Sequence, residues 1–245
     1  MINYLPLFII LSIVAEILGT IGGFGSSVFF VSIAGFFLDF QSVLGITAIF
    51  HLGSNVTKIG AFRKGLDWKI AFQIGLPAVA FVTLGAYASK WIDPDVLEAL
   101  LGVFLVTLSG VFILSKSMVI RPNLGNSLIG GSLSGLLAGL LGTGGAIRGL
   151  TLTSFGLRKD TFIATSAVID LAIDLSRTFV YVSNGYVHDH DLYLIPILLV
   201  VSIIGTLTGK KILTRISQEN FRKTSLMLIL LIGLTTMINF GLKIF

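Results

Sequence analysis

The chain has no cysteine in 245 residues, which excludes disulfides, thiolate metal sites and a cysteine nucleophile. Charge is scarce too: 12% of residues are Asp, Glu, Lys or Arg, where a soluble domain carries about 25%. With 54% hydrophobic residues and a mean hydropathy of +0.97, no stretch remains that could fold as a separate water-soluble domain. The net charge of +5 is spread through short loops rather than gathered on one basic face, so it does not signal nucleic-acid binding. No serine elbow, His-Glu-x-x-His or other reaction-specific spacing occurs, and no Lys-Ser/Thr follows the glycine clusters as a nucleotide phosphate loop requires. Residues 1–18 are apolar, with no basic stretch before them and no small-residue cleavage site after. They read as a retained helix rather than a signal peptide.

What is present is a series of apolar runs: 3–18, 26–38, 42–62, 70–89, 96–115, 124–141, 146–157, 161–183, 192–209 and 221–241. A full membrane span needs about 20 residues. Six runs qualify easily, while the pairs 3–18/26–38 and 124–141/146–157 are shorter, each split by a glycine-rich break. The order repeats. The cluster Gly19 to Gly25 returns as Gly139 to Gly145; Thr47-Ala48 and His51 match Ser166-Ala167 and Asp170; Pro77 matches Pro196, and Lys90 matches Lys210.

Loop charges turn the second copy over. Arg63, Lys64 and Lys69 follow the long helix of the first half, whereas the equivalent loop of the second reads His188-Asp189-His190-Asp191. One helix later the signs are exchanged: Asp93, Asp95 and Glu98 against Lys210, Lys211, Arg215, Arg222 and Lys223. Positive loops stay in the cytoplasm, so corresponding loops lie on opposite faces. Lys116, Arg121, Arg158 and Lys159 also fall inside, which makes 124–157 a hairpin, either re-entrant or two short spans. The expected fold is an all-α integral membrane protein of two inverted repeats, 1–119 and 120–245, each a broken hairpin plus three spanning helices. Two parallel repeats are the competing topology.

Several residues are out of place in a bilayer. A charge at its centre costs roughly 2.5–3.5 kcal/mol on insertion scales, so such groups usually line an interior cavity and act there. His51, Asn55 and Lys58 share one helix face at i, i+4 and i+7, and Asp170, Asp174 and Arg177 occupy the matching positions in the second half. The bland reading is that Asp174 and Arg177, three residues apart, form a buried pair that only fixes packing. The glycine breaks are the second feature. Gly22, Gly23, Phe24 and Gly25 precede Ser26, Ser27 and a helix; Gly142, Thr143, Gly144 and Gly145 precede another, with Arg148 in its first turn. Irregular backbone at this depth must be buried in protein or line a cavity. A helix starting there offers free N–H groups and a positive dipole end to an anion, and a guanidinium beside it can grip an oxyanion bidentately. Close helix packing explains Gly19 or Gly139 but not Arg148. Lys58, Arg148 and Arg177 against Asp170 and Asp174 leave a charge of +1, which Glu16 brings to zero. Either an aspartate is protonated or the acids carry protons coupled to anion movement.

The paired glycine breaks Gly19–Gly25 and Gly139–Gly145, with the Thr47-Ala48 and Ser166-Ala167 helices behind them, resemble the TauE/SafE sulfite exporter family over nearly the whole chain. The resemblance implies a transporter, not an enzyme, that moves sulfite, thiosulfate or an organosulfonate such as sulfoacetate across a bacterial-type inner membrane. A proline often follows the glycine cluster in that family, and Arg148 lies close to where it would fall.

The leading expectation is therefore a secondary transporter with no cofactor, whose partners are a small anion and the lipid bilayer; assembly into a homo-oligomer is left open. Arg148 and Arg177 would hold the anionic head, backbone N–H groups near Ser26 and Thr143–Ala146 would complete its shell, and His51 and Asn55 would hydrogen-bond it. Lys58, Gly23, Phe24, Gly25, Ser27, Gly144 and Gly145 belong to the same expected site, with Asp170 or Asp174 carrying a proton. One alternative is a cation channel or transporter with Asp170, Asp174, Glu16 and His51 as ligands, against which three neighbouring cations argue. Another is a membrane hydrolase using His51 and the two aspartates. Trp68 and Trp91, and with them Tyr181 and Tyr186, read as interfacial anchors. His188 and His190, with Asp189 and Asp191, make a candidate surface metal site against the simpler reading of a solvated loop.

Overall fold

The structure, a computed structural model, describes residues 4–22, 25–62, 65–114 and 121–213, with 227, 230–231 and 233–238 near the C-terminus. Gly23 and Phe24, the loop residues Arg63, Lys64, Lys116, Arg215, Arg222 and Lys223, and most of the run 221–241 lie outside the described residues. Nine helices are described in full: α1 Leu5–Gly22, α2 Ser27–Ala34, α3 Phe40–Ala61, α4 Trp68–Ala88, α5 Pro94–Leu114, α6 Leu124–Leu141, α7 Gly145–Thr153, α8 Lys159–Ser183 and α9 Leu194–Leu213. Short polar caps set their starts. Asp39 accepts the Ser42 N–H at 3.0 Å to open α3, Asp67 accepts from Ile70 at 3.0 Å to open α4, and Asn123 accepts from Asn126 at 2.7 Å to open α6.

Five of these helices, α1, α4, α5, α6 and α9, are long and apolar enough to cross a membrane. That corrects the reading of the runs in two ways. Helix α1 continues through Gly19 to Gly22, so α1 and α6 reach 18 residues each and qualify. Helices α3 and α8 are long enough at 22 and 25 residues but fall short in apolarity, because they carry the polar stripes. The second members of the broken hairpins are short: α2 has 8 residues and α7 has 9. Eight helical residues rise about 12 Å, far less than the roughly 30 Å of hydrocarbon they would have to cross. Two full spans are therefore ruled out for each hairpin.

The broken hairpins and polar helices are held inside by the apolar ones. Helix α4 packs along α6, α1 along α9, and α3 and α8 cross between them. The α4–α6 seam is backbone against backbone: a Cβ on Gly131, Gly135 or Gly139 would run into the carbonyl oxygen of Ile74, Ala78 or Val82 respectively. Three glycines at i, i+4 and i+8 thus face three α4 carbonyls at the same spacing, the close approach that small residues permit in membranes. Phe8, Phe30 and Phe50 fill the space between α1, α2 and α3, with the Phe30 and Phe50 rings 4.4 Å apart. Pro77 lies in the interior of α4, whereas Pro196 sits in the first turn of α9, where a missing N–H costs nothing.

Trp68 and Trp91, 57% and 77% exposed, bracket α4 as interfacial anchors would. Tyr181 and Tyr186 do not. Both are buried and stacked 5.5 Å apart, with the Tyr181 hydroxyl donating to the Gly139 carbonyl at 2.7 Å and Tyr186 paired with Ser89 at 3.2 Å. Composition alone could not show that the face of α8 bearing Tyr181 turns toward the α6 end.

Candidate functional site

The two glycine breaks meet. Ser27 Oγ and Thr143 Oγ1 are hydrogen-bonded at 3.2 Å, and a Cβ on Gly25 would stand 3.8 Å from the Cα of Gly145 and 3.6 Å from Arg148 Nη2. Gly25 and Gly142 turn the chain with φ of 83° and 73°, values that side chains other than glycine resist. Around this junction is one cavity. Gly25, Ser26 and Ser27 line it from the first break, and Gly142, Gly144, Gly145 and Arg148 from the second. His51, Asn55 and Lys58 enter from α3, and Asp170, Asp174 and Arg177 from α8. Thr143 is buried beside it through Ser27, while Gly23 and Phe24 are outside the described residues. The space is about 20 Å³, room for roughly one water molecule.

Every lysine and arginine in the cavity is matched with an acid. Lys58 Nζ is 2.8 Å from Glu16 Oε1, Arg177 Nη2 is 2.6 Å from Asp174 Oδ1, and Arg148 grips both oxygens of Asp170, with Nη2 to Oδ2 at 2.5 Å. Three cations against three carboxylates leave the site formally neutral. The pair Asp174–Arg177 foreseen as a packing device is present, and it is one of three.

Glu16 is fully buried and surrounded by donors. Besides Lys58, its carboxylate accepts from Ser54 at 2.6 Å, Thr206 at 2.9 Å, Thr20 at 3.2 Å and, on the other oxygen, Ser26 at 2.5 Å. Because Ser26 donates its only hydrogen to Glu16, its bond to His51 Nε2 at 3.0 Å requires the proton to be on Nε2. That leaves Nδ1 to accept from Arg177 Nη2 at 3.4 Å. A directed chain results, Arg177 to His51 to Ser26 to Glu16, with His51 as a neutral imidazole. The sequence pointed to Glu16 only as a charge to be counted; its partners come from α1, α2, α3 and α9, and no local spacing announces them.

The two arginines differ in what they have left to give. Arg177 uses Nε and Nη2 on Asp174, Nη1 on the carbonyls of Ala138 and Gly142 at 3.1 and 2.7 Å, and Nη2 again on His51. All five of its N–H groups are committed, two of them to orphaned carbonyls at the C-terminal end of α6, where a cation also suits the helix dipole. Among the described residues Arg148 bonds Ser166 through Nε at 3.2 Å and Asp170 through Nη1 and Nη2, which accounts for three of its five. Asp174 is held a second time by the Asn55 amide at 2.7 Å. Asp170 is the least buried of the three acids, its side chain 18% exposed against 4% for Asp174 and none for Glu16. Asp170, Lys58 and Gly25 also border a second cavity, which opens between Gly19 and Thr20 of α1 and Ile163 and Ser166 of α8. Asp170 therefore stands at the wall between two cavities, with Arg148 on the side of the first.

The sequence profile of the sulfite exporter TauE/SafE family matches residues 8–236. A protein of Methanocaldococcus jannaschii described as a "probable membrane transporter protein" is 26% identical over 242 residues, covering 89% of this chain and 90% of that protein.

Proposed function

The chain belongs to the sulfite exporter TauE/SafE family of multi-pass membrane transporters, and we propose that it is a secondary transporter of small sulfur-containing oxyanions, such as sulfite, thiosulfate or sulfoacetate. In this reading it works across the cytoplasmic membrane by alternating access between two inverted halves, 1–119 and 120–245. The observation that carries the proposal is Arg148: a buried guanidinium with donors to spare among the described residues, in the first turn of a helix that starts in mid-protein, lining one cavity and paired with Asp170, which also borders a second.

The packing supports the two-half description. Under the repeat correspondence α1 stands for α6 and α4 for α9, and α1 lies on α9 as α6 lies on α4. Likewise α3 touches α9 as α8 touches α4, and the hairpins α1–α2 and α6–α7 match. The exchange of loop charge between the halves supports their inversion.

The mechanism follows from counter-ion exchange. A sulfonate or hydrogen sulfite head carries the single negative charge of the carboxylate already on Arg148 and can offer a guanidinium two oxygens as a carboxylate does, so it competes with Asp170 for the same guanidinium. The space among the side chains holds about one water, so the anion enters only as the Arg148–Asp170 pair opens. A displaced Asp170 would be a carboxylate without its counter-ion in a poorly hydrated place, a strongly unfavourable state unless it takes up a proton. Proton uptake at Asp170 and anion binding at Arg148 are thus coupled, and one proton taken up per singly charged head leaves the site neutral. Arg177, with no N–H uncommitted, acts as the frame that fixes the α6 end and Asp174 rather than as the first contact of the anion.

A cation transporter is less well supported, because Asp170, Asp174 and Glu16 each already hold a base and His51 offers its Nδ1 to Arg177. The test is a thermal-shift screen of the detergent-purified protein with sulfite, thiosulfate, sulfoacetate, taurine, sulfate and chloride. At 100 times its dissociation constant a bound ligand adds about 2.7 kcal/mol, a readable shift. Stabilisation by one of the sulfur oxyanions over chloride, lost in a folded Arg148→Ala variant, is expected; unchanged affinity in that variant refutes the site.

A further inference from the structure

At the other end of α3, the connection 184–193 between α8 and α9 folds over the first turns of that helix. Gly45 makes room for it: a Cβ there would lie 2.6 Å from the carbonyl oxygen of Tyr186. The connection brings His188 and His190, their rings stacked 5.2 Å apart and 6° from parallel, up to Asp39, the cap of α3. One donor atom from each of Asp39, His188 and His190 lies within 4.8 Å of the other two. The aspartate in this cluster comes from the other half of the chain, in place of the neighbouring Asp189.

Two observations show that the cluster is short of positive charge. Ser42 Oγ has three partners that can all act as acceptors: Asp191 Oδ2 at 2.6 Å, Asp39 Oδ2 at 2.7 Å and His188 Nδ1 at 2.7 Å. A hydroxyl has one hydrogen to give, so two carboxylates and a ring nitrogen crowd a donor that can serve only one of them. Asp191 is 1% exposed, yet its Oδ1 has no hydrogen-bond partner among the described residues and faces His190 Nε2 at 3.5 Å. Its Oδ2 is 3.7 Å from His188 Nδ1. A buried carboxylate oxygen left unsatisfied against two imidazoles is an unfavourable arrangement that a bound cation relieves.

We propose that Asp39, His188 and His190 form a binding site for a divalent transition-metal ion of the zinc type. Two imidazoles and a carboxylate are the donor set such ions take, with water in a fourth position. Asp191, beside both rings, orients them from behind. Bonds of about 2.0–2.1 Å put tetrahedral donors roughly 3.3 Å apart, so the three groups need to close by about 1.5 Å from their widest separation. His190, with 72% of its side chain exposed, is free to make that movement. The ion would tie the start of α3 to the α8–α9 connection, one element from each half. This site lies at a different place from the anion cavity and does not rest on the transport assignment.

The test uses tag-free, chelator-treated full-length protein in detergent, titrated with zinc by calorimetry and with cobalt(II) by visible absorption. About one zinc ion per chain is expected, with cobalt(II) giving the intense bands of a four-coordinate site that zinc bleaches. His190→Ala, at an exposed position, should weaken zinc binding at least tenfold, and the nearby Asp189→Asn should leave it unchanged. Absence of saturable binding, or the same affinity in His190→Ala as in the parent, overturns the proposal.

Discussion

Replacing Glu16 by glutamine keeps the side chain's shape and removes its charge, and the consequences can be worked out from its surroundings. The Lys58 ammonium, its side chain 9% exposed, loses the carboxylate it pairs with at 2.8 Å and keeps the Ser54 hydroxyl at 2.7 Å. Four hydroxyls that donate to the carboxylate, from Ser26, Ser54, Thr206 and Thr20, then meet an amide with one acceptor oxygen and an NH2. At least one must turn away. Breaking a buried pair by removing one partner costs about 3–5 kcal/mol. For a chain of this size each kcal/mol moves the melting temperature by roughly 2–4 °C, so a drop of about 6–20 °C is expected for Glu16→Gln in detergent. Removing both charges, in Glu16→Gln/Lys58→Met, leaves no orphaned ion and should recover most of the loss, because a buried pair replaced by neutral groups is often near neutral in stability. The assay is a double-mutant cycle of thermal or denaturant unfolding. A single variant as stable as the parent, or a double variant that loses the sum of the two singles, refutes the reasoning that Glu16 exists here to neutralise Lys58.

Gly135→Ala pushes a Cβ into the Ala78 backbone at the α4–α6 seam and should cost at least about 1–3 kcal/mol by overpacking, whereas Gly110→Ala, with nothing within 4 Å among the described residues, should be neutral or mildly stabilising; melting temperatures of the two variants check this. Arg177→Lys gives up the fork that holds the carbonyls of Ala138 and Gly142, so it should lower the melting temperature clearly while changing sulfonate affinity no more than a few fold, the reverse of Arg148→Ala.

What could be read before folding was local. The glycine breaks, the two polar stripes at i, i+4 and i+7, and Arg148 in a helix's first turn are patterns within a few residues of chain, and the cavity is lined by residues from all of them. What could not be read depends on which helices become neighbours. Lys58 and Glu16 are on α3 and α1, and nothing in either helix identifies the other as its partner. The same holds for Asp39 and His188, brought together by the folded α8–α9 connection. Tyr181 and Tyr186 were misread because a tyrosine near a helix end has the same composition signal whether its hydroxyl meets headgroups or, as here, a helix carbonyl and a serine. Gly131, Gly135 and Gly139 stand four apart in the chain, a spacing that takes on meaning only where the structure identifies the α4 backbone as what they touch.

The central claim is that an oxyanion takes Asp170's place on Arg148 while Asp170 takes a proton. Calorimetric titration of sulfite or sulfoacetate into the purified protein, in two buffers of different ionisation enthalpy, counts protons bound per anion. The account predicts about one proton for the parent chain, with anion binding kept but proton uptake lost in Asp170→Asn. Equal proton counts in the two proteins, or anion binding that survives the loss of Arg148, would contradict it.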